Sequence, residues 1–570
     1  MSLFVKELIK APRKHDGVSL DVHLPIPIAP AMTTPVSAPP PYLIRIQREL
    51  RRARDYLDAG NTSAARAVSE SLTQQFPKLG LGWFYRSLAE AADGRLPAAV
   101  ASAEKAAAVE PERPEILAHL ARCQMLRSEA HAALQAARKA ATLTLEEAPL
   151  IDRVASVLTH FGDAEAALPL FERAIAIDAA NPMIHFNYGT AFRVLGRRGE
   201  ALVQFERALE LAPGLALAHW AIADLDQWTD DRNHVERMEA TRPLLAEGAE
   251  PLALLDFALF KELDQLGRHG PAADALDRGN RIMRERLRFD SQWEAELFST
   301  LEKHADGLFG SIPVEVAPAP GDAPVPIFVL GMPRSGATLV ERLLGNHPEV
   351  RLGGDLQDFN VCIKRELGIE TGAFMEQRIA SRLGEIDWKR VGDAYRSRLR
   401  ERFGPGGYVT DKMPGNSFYV HAIAAALPEA RIVHVVRDPL DTCFSIWNDV
   451  FGAIFPYAYD QEAIAAHCIR HAGWMRRCES ALPKRIFPLR YEQMVSVPGL
   501  VTKALYRFCG LDWVDGAEDP TGNDKPVATA GAVLVRERIH GRGVGAWRPY
   551  AEHVSPMRER LIEAGLMSRD

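Results

Sequence analysis

Two short segments carry residue types that grip oxyanions. In PIFVLGMPRSGATLVERLL, Gly331 and Gly336 frame a tight loop between an apolar run and an amphipathic stretch. The backbone N–H groups of such a loop can point at an anion. Ser335, Ala337 and Thr338 then open a helix whose N-terminal dipole favours negative charge. The ATPase form of the loop, G-x-x-x-x-G-K-[ST], needs a lysine where this chain has Ala337. Arg334 supplies a cation instead, and a guanidinium can fork onto a phosphate or a sulfate. In the second segment, RIVHVVRDPLDTCFSIW, Arg437 ends a strand-like run and Ser445 lies eight residues later. Asp438 before Pro439 reads as a helix N-cap, which is sufficient reason for those two residues. Arg437 with Ser445 suits a second, isolated phosphate, a group that ATP does not have.

Together PRSGATL and VVRDPLDTCFS resemble the 5′-phosphosulfate and 3′-phosphate signatures of sulfotransferases that use PAPS (3′-phosphoadenosine-5′-phosphosulfate). The pattern is similar to bacterial proteins that fuse tetratricopeptide repeats to a sulfotransferase domain, and to tyrosylprotein sulfotransferases. It spans about residues 322–550. The resemblance implies transfer of a sulfuryl group from PAPS, with PAP as product and no metal. It implies that Arg334, Ser335, Gly336, Ala337 and Thr338 surround the 5′-phosphosulfate, and that Arg437 and Ser445 hold the 3′-phosphate.

Further residues follow from the same resemblance. Tyr491 in LRYEQM stands where the family has an aromatic near the adenine; its alternative is a surface tyrosine. Arg542, Gly543, Val544, Gly545, Trp547 and Arg548 in RGVGAWRPY match a late loop that wraps the nucleotide. The family often has serines where this chain has Gly541 and Gly543. Lys412 in VTDKMPGN matches a lysine that contacts the transferring group, against the alternative of an exposed turn lysine. In HPEVRLGGDLQDF, Asp355 aligns without gaps with a glutamate base of the tyrosylprotein pattern; its alternative is a capping aspartate. His347 matches as well and is expected to close the helix after the first loop. Arg334 and Lys412 would stabilise developing charge, and Asp355 would take the acceptor's proton. The acceptor hydroxyl could belong to a protein tyrosine, a carbohydrate or a small metabolite. A P-loop kinase, or a repeat scaffold with an inactive nucleotide domain, are the rival readings of the whole chain.

Positioning these residues requires an α/β sheet. Short apolar runs at 326–330, 350–352, 408–410, 431–436 and 485–489 alternate with helical sequence, which predicts a mainly parallel sheet. Each run ends in polar residues, where ligands gather in such sheets. Upstream, a step of 34 residues links Pro213, Ala179, Leu145, Pro111 and Pro77. It also links Ala201, Ala167, Ala133, Ala99 and Ala65, then Phe205 with Phe171, and Ala208, Ala174, Ala140 and Ala106. With Gly189 and Phe192 this register resembles about five tetratricopeptide repeats. The expected architecture is multidomain, an all-α tetratricopeptide-repeat solenoid followed by an α/β P-loop-type domain. Its boundaries are an N-terminal segment with a proline-rich linker (1–44), repeats (45–213), a helical capping and connecting region (214–312) and the sulfotransferase domain (313–570, with 313–325 as linker). The repeats would offer a peptide or protein partner a concave surface, and the oligomeric state stays open.

Composition narrows the class further. A net charge of −7 over 570 residues speaks against a general nucleic-acid binder. No run reaches the roughly eighteen apolar residues of a membrane span, and MSLFVKELIK lacks a secretory signal's apolar run. Cys123, Cys362, Cys443, Cys468, Cys478 and Cys509 form no C-x-x-C pair, so buried free thiols in a reducing cytoplasm are expected rather than disulfides or zinc.

Overall fold

In the computed structural model, residues 40–369, 373–523 and 538–569 are described. Most of the proline-rich linker, at 24–39, lies outside them. Two compact units divide between Asp178 and Ala179.

The first unit is built from helix pairs. Their second helices begin at Thr62, Leu96, Ala130 and Ala164, and their first helices at Gly80, Pro114 and Ala148, each series stepping by 34 residues. Ala65, Ala99, Ala133 and Ala167 are 0% exposed. Residues without a side chain beyond Cβ let two backbones approach while losing no rotamer freedom.

The second unit continues the same register. Its helices Pro182–Leu195 and Arg198–Leu211 form the repeat in which a Cβ on Gly189 would come within 2.7 Å of the Phe205 ring. Past Pro213 the alanine pattern lapses, yet the helices Ala216–Ala223 and Glu250–Gln265 still begin on the step of 34. The helix His269–Leu287 reuses the glycine–phenylalanine contact: a Cβ on Gly279 would meet Phe257 at 3.2 Å. These connecting helices lean on the α/β domain. Glu294 of helix Ser291–Phe309 bonds His467 Nδ1 at 2.7 Å and Arg470 Nε at 3.0 Å, and Asn280 donates to Trp447 O at 3.1 Å.

All five expected strands form: β1 (Val325–Leu330), β2 (Val350–Arg351), β3 (Tyr408–Asp411), β4 (Arg431–Val436) and β5 (Ile486–Arg490). They pair in parallel in the order β2-β3-β1-β4-β5. Both faces are covered, which explains the near-continuous apolar runs. Phe328, Leu330, Val409 and Ile432 pack against helices Trp388–Phe403 and Val420–Ala426. Ile327, Val329, Val433 and Val435 pack against helices Ala337–Leu344 and Pro498–Cys509. The connection after β1 leaves toward β2 and that after β4 toward β5, so the crevice for a ligand opens between the ends of β1 and β4. Among the described residues no helix is long and apolar enough to cross a membrane. The six cysteines are free and buried.

Candidate active site

The loop after β1 is shaped by close backbone approaches. Gly331 has φ 148° and a Cβ there would sit 2.5 Å from Val435 O; Gly336 has φ 101° and a Cβ there would strike Tyr491 Cδ2 at 2.5 Å. Both positions therefore require glycine. Arg334 adopts φ 67°, a conformation costly for a side chain of its kind, and the turn aims its guanidinium across the crevice. There Nε donates to Ser445 Oγ at 3.1 Å, and Nη1 lies 3.3 Å from Asp449 Oδ2. Ser335 is 1% exposed and its Oγ has no hydrogen-bond partner among the described residues. Ala337 and Thr338 begin the helix Ala337–Leu344, whose first N–H groups have no intrahelical acceptor.

Arg437, at the end of β4, is tied to the same loop. Its Nη1 donates to Arg334 O at 2.9 Å, its Nη2 to Gly543 O, and its guanidinium lies 4.9 Å from the Tyr491 ring centroid. Its Nε is buried and without a partner among the described residues. Asp438 does cap the following helix, accepting from Asp441 N at 2.8 Å, and Ser445 lies two turns along it. The late loop closes over this corner. Gly545 N donates to Asp441 Oδ2 at 2.8 Å, and a Cβ on Gly543 would sit 3.0 Å from Arg437 Nη2 and 3.2 Å from the Tyr491 hydroxyl. Val544 is exposed and Trp547 half-buried; among the described residues Val544 N bonds Gly541 O at 2.9 Å, outside this cluster. The surroundings suit an anion donor: Ser335 Oγ and Arg437 Nε are two buried groups that a phosphate oxygen would satisfy.

On the β3 side, Lys412 and Asp355 form an ion pair with Lys412 only 4% exposed. Burial alone would raise the Asp355 carboxyl, but neighbouring positive charge, the Lys412 ammonium first, holds the group below the usual carboxylate range. Burial would lower the Lys412 ammonium, and Asp355 with Glu341 reverse that and raise it. Both groups therefore stay charged. Their positions are set by Glu341, which lies on the helix after the first loop. Glu341 Oε1 accepts from Thr410 Oγ1 at 2.7 Å and from Gly354 N at 2.9 Å, while Lys412 N donates to Gly354 O at 2.8 Å. A Cβ on Gly353 would lie 2.1 Å from Thr410 O, so only glycine lets this turn dock. Burial raises the Glu341 carboxyl, with Lys412 opposing. His347 does close the helix after the first loop: its N–H reaches Leu344 O at 3.1 Å and its ring packs on Tyr506.

The first loop, Arg437, Ser445, Tyr491, Gly543 and Gly545 thus meet at one corner, and Lys412 with Asp355 meet at the end of the neighbouring strand. Sequence reasoning missed Glu341 and Asp449. A charged residue between Val340 and Leu343 on a helix whose apolar side is buried was a signal for Glu341. Asp449 offered none.

Comparison with known proteins agrees with this geometry. Residues 326–515 match the model of the sulfotransferase family. An uncharacterized protein of Aquifex aeolicus is 29% identical over 341 residues, covering 58% of this chain and 44% of that protein. Protein-tyrosine sulfotransferase 1 of Danio rerio is 28% identical over 196 residues, covering 33% of this chain and 54% of its own length. The chain thus spans about half the length of the curated relatives it matches. The sulfotransferase domain of the Synechococcus PCC 7002 olefin synthase is 16% identical, covers 45% of this chain and 99% of its own, and superposes with a TM-score of 0.32. Residues 326–515 thus match the sulfotransferase family, and the same chain carries upstream helix pairs at a 34-residue step.

Proposed function

We propose that the chain transfers a sulfuryl group from PAPS to an acceptor hydroxyl. The observation that carries this reading is two cations at one corner of the crevice, Arg334 after β1 bonded to the Ser445 hydroxyl and Arg437 after β4 bonded to Arg334 O, with Ser335 Oγ and Arg437 Nε buried and unsatisfied among the described residues. A nucleotide with one phosphate chain needs only the first; PAPS has a phosphosulfate for one and a 3′-phosphate for the other. PAPS supplies the sulfuryl group and departs as PAP. Arg334, Ser335, Gly336, Ala337 and Thr338 would hold the 5′ end. Arg437 and Ser445 would hold the 3′-phosphate. Tyr491, Gly543, Val544, Gly545 and Trp547 would surround the nucleoside.

Transfer forms an acceptor O–S bond and breaks the bond from sulfur to the bridging oxygen. Charge gathers on that oxygen, so a fixed cation there lowers the barrier. Lys412 is suited to the task, since its buried ammonium stays protonated. Asp355 then takes the acceptor's proton. In the resting pair its basicity is suppressed by Lys412, and when Lys412 turns toward the leaving oxygen that suppression is shared with the donor's charge. Asp355 becomes a better base at the moment the leaving group is engaged.

The functional division we propose is repeats at 45–213, a connecting region at 214–312 and the transfer domain at 313–570. The similarity to a protein-tyrosine sulfotransferase, and the repeats beside it, favour a peptide or protein acceptor over a free metabolite. Sulfur-labelled PAPS incubated with the protein and either a tyrosine peptide or a nitrophenol tests the reading. Label in either acceptor is expected. Absence of label in both, with phosphate transferred from ATP instead, would make this a kinase.

A further inference from the structure

Arg334 does not wait for a ligand unaccompanied. Asp449, 2% exposed, lies just beyond the helix that carries Ser445, and its Oδ2 is 3.3 Å from Arg334 Nη1. Its other oxygen accepts from Val450 N at 2.8 Å and lies 3.9 Å from Lys261 Nζ. Lys261 belongs to the connecting helix Glu250–Gln265, pairs with Asp224, and sits 5.4 Å from the Trp220 ring centroid. On the far side of Asp224, Arg193 of the repeat helix Pro182–Leu195 lies 3.8 Å away, its guanidinium 5.9 Å from the same Trp220 ring. Charges of alternating sign therefore run from a repeat helix, through the connecting region, into the loop after β1. The side chains of Arg193, Asp224, Lys261 and Asp449 are 8%, 18%, 14% and 3% exposed, so solvent screens them weakly.

The geometry points to Asp449 as a positioning residue for the donor: it holds Arg334 in the donor-free loop and competes with the donor's anionic oxygens for it, while Lys261 sets how firmly it competes. The inference rests on Arg334 being the cation of the 5′ end, as proposed above. Two substitutions then act in opposite directions. Asp449→Asn keeps the oxygen that accepts from Val450 but removes the rival charge, so an incoming anion meets a freer guanidinium. Lys261→Met removes the cation that shares Asp449, so Asp449 turns wholly to Arg334. A role confined to packing would weaken binding in both.

Calorimetric titration with PAP, without Mg²⁺, measures this in the full-length chain. Asp449→Asn is expected to tighten binding about fivefold or more, and Lys261→Met to weaken it by a similar factor, within the usual range of coupling between charged sites. In the Asp449→Asn background, Lys261→Met should lose most of its effect, because its route to Arg334 is gone. Weaker binding by Asp449→Asn, or a Lys261→Met effect undiminished in that background, would overturn the inference. If Lys261→Met melts below the assay temperature, Lys261→Gln replaces it with the same expected sign. A parent protein that binds no PAP would overturn the donor assignment itself, and this inference with it.

Discussion

Replacing Lys412 by methionine keeps a stem of similar length but removes the ammonium, and the first consequence falls on Asp355. The two side chains are 4% and 15% exposed. Removing one partner of a buried pair typically costs about 3–5 kcal/mol, because the other charge is stranded. The protein can limit that cost by protonating the carboxyl, at about 1.4 kcal/mol per pH unit. The sign follows from the pKa. In the parent chain the Asp355 carboxyl is held below its value of 3.8, so it adds stability above the unfolded pKa and loses it as pH falls through the folded one. In Lys412→Met the first of the charges opposing burial is gone, and the expectation is that burial, the largest influence on the group, takes the folded pKa above the unfolded one. The variant is then destabilised increasingly as pH climbs from the unfolded value to the folded one. Urea unfolding should show a loss of about 3 kcal/mol at pH 7.5 and a loss smaller by about 1 kcal/mol or more at pH 5. Glu341 also faces Lys412 and responds in the same direction, so a second variant identifies the stranded group. Asp355→Asn in the Lys412→Met background should restore most of the stability at pH 7.5. A loss equal at both pH values, or one relieved by Glu341→Gln and not by Asp355→Asn, would refute the pairing as the source.

Asp355→Asn alone should leave PAP affinity within about twofold while transfer to a poorly acidic hydroxyl falls about 10²–10⁴-fold. A nitrophenol acceptor, partly ionised already, should recover part of that loss; initial rates with the two acceptors give the comparison. Arg437→Ala should weaken PAP by about 1.5–3 kcal/mol, roughly tenfold or more in Kd, and leave AMP nearly unchanged. Calorimetry with both nucleotides reads this directly, and equal losses would assign Arg437 to the loop's structure alone. A chain beginning at Ala179 should retain PAP binding, whereas one beginning at Asp322 should bind poorly or aggregate. The shorter chain leaves the surfaces under Leu297, Phe298 and Leu301 open and His467 without Glu294, which gel filtration and titration would report.

Most of the fold was legible because its signals are local. The strands are short apolar runs ended by polar residues, and all five form within a residue or two of their expected bounds. β5 starts one residue late because Arg485 N is still bonded to Leu482 O at 3.0 Å, in the turn that follows the preceding helix. The repeats were legible because Ala65, Ala99, Ala133, Ala167 and Ala201 all occupy helix contacts, where a larger side chain would separate the backbones. The register was lost to the eye after Pro213 since other residues take over that packing, though the helix starts at Ala216 and Glu250 preserve it. In the site, the glycines and arginines of the two motifs could be read because their spacing is fixed by one turn and one helix. Glu341 with Thr410, and Asp449 with Lys261, could not. Each pair joins segments far apart in sequence, and apart from the charge of Glu341 on a largely apolar helix no partner is exceptional within its own segment. The pairing of Asp355 with Lys412 was likewise invisible, although each residue had been singled out alone.

The central claim is that the crevice between β1 and β4 takes a nucleotide bearing two separate anionic groups, one of them on the 3′ oxygen. Titration calorimetry of the parent chain with PAP, AMP and ATP, in buffer without Mg²⁺, tests it most directly. The account predicts that PAP binds at least about tenfold tighter than AMP, the difference being the 3′-phosphate at Arg437 and Ser445. Equal affinity for PAP and AMP, or a preference for ATP once Mg²⁺ is added, would contradict it.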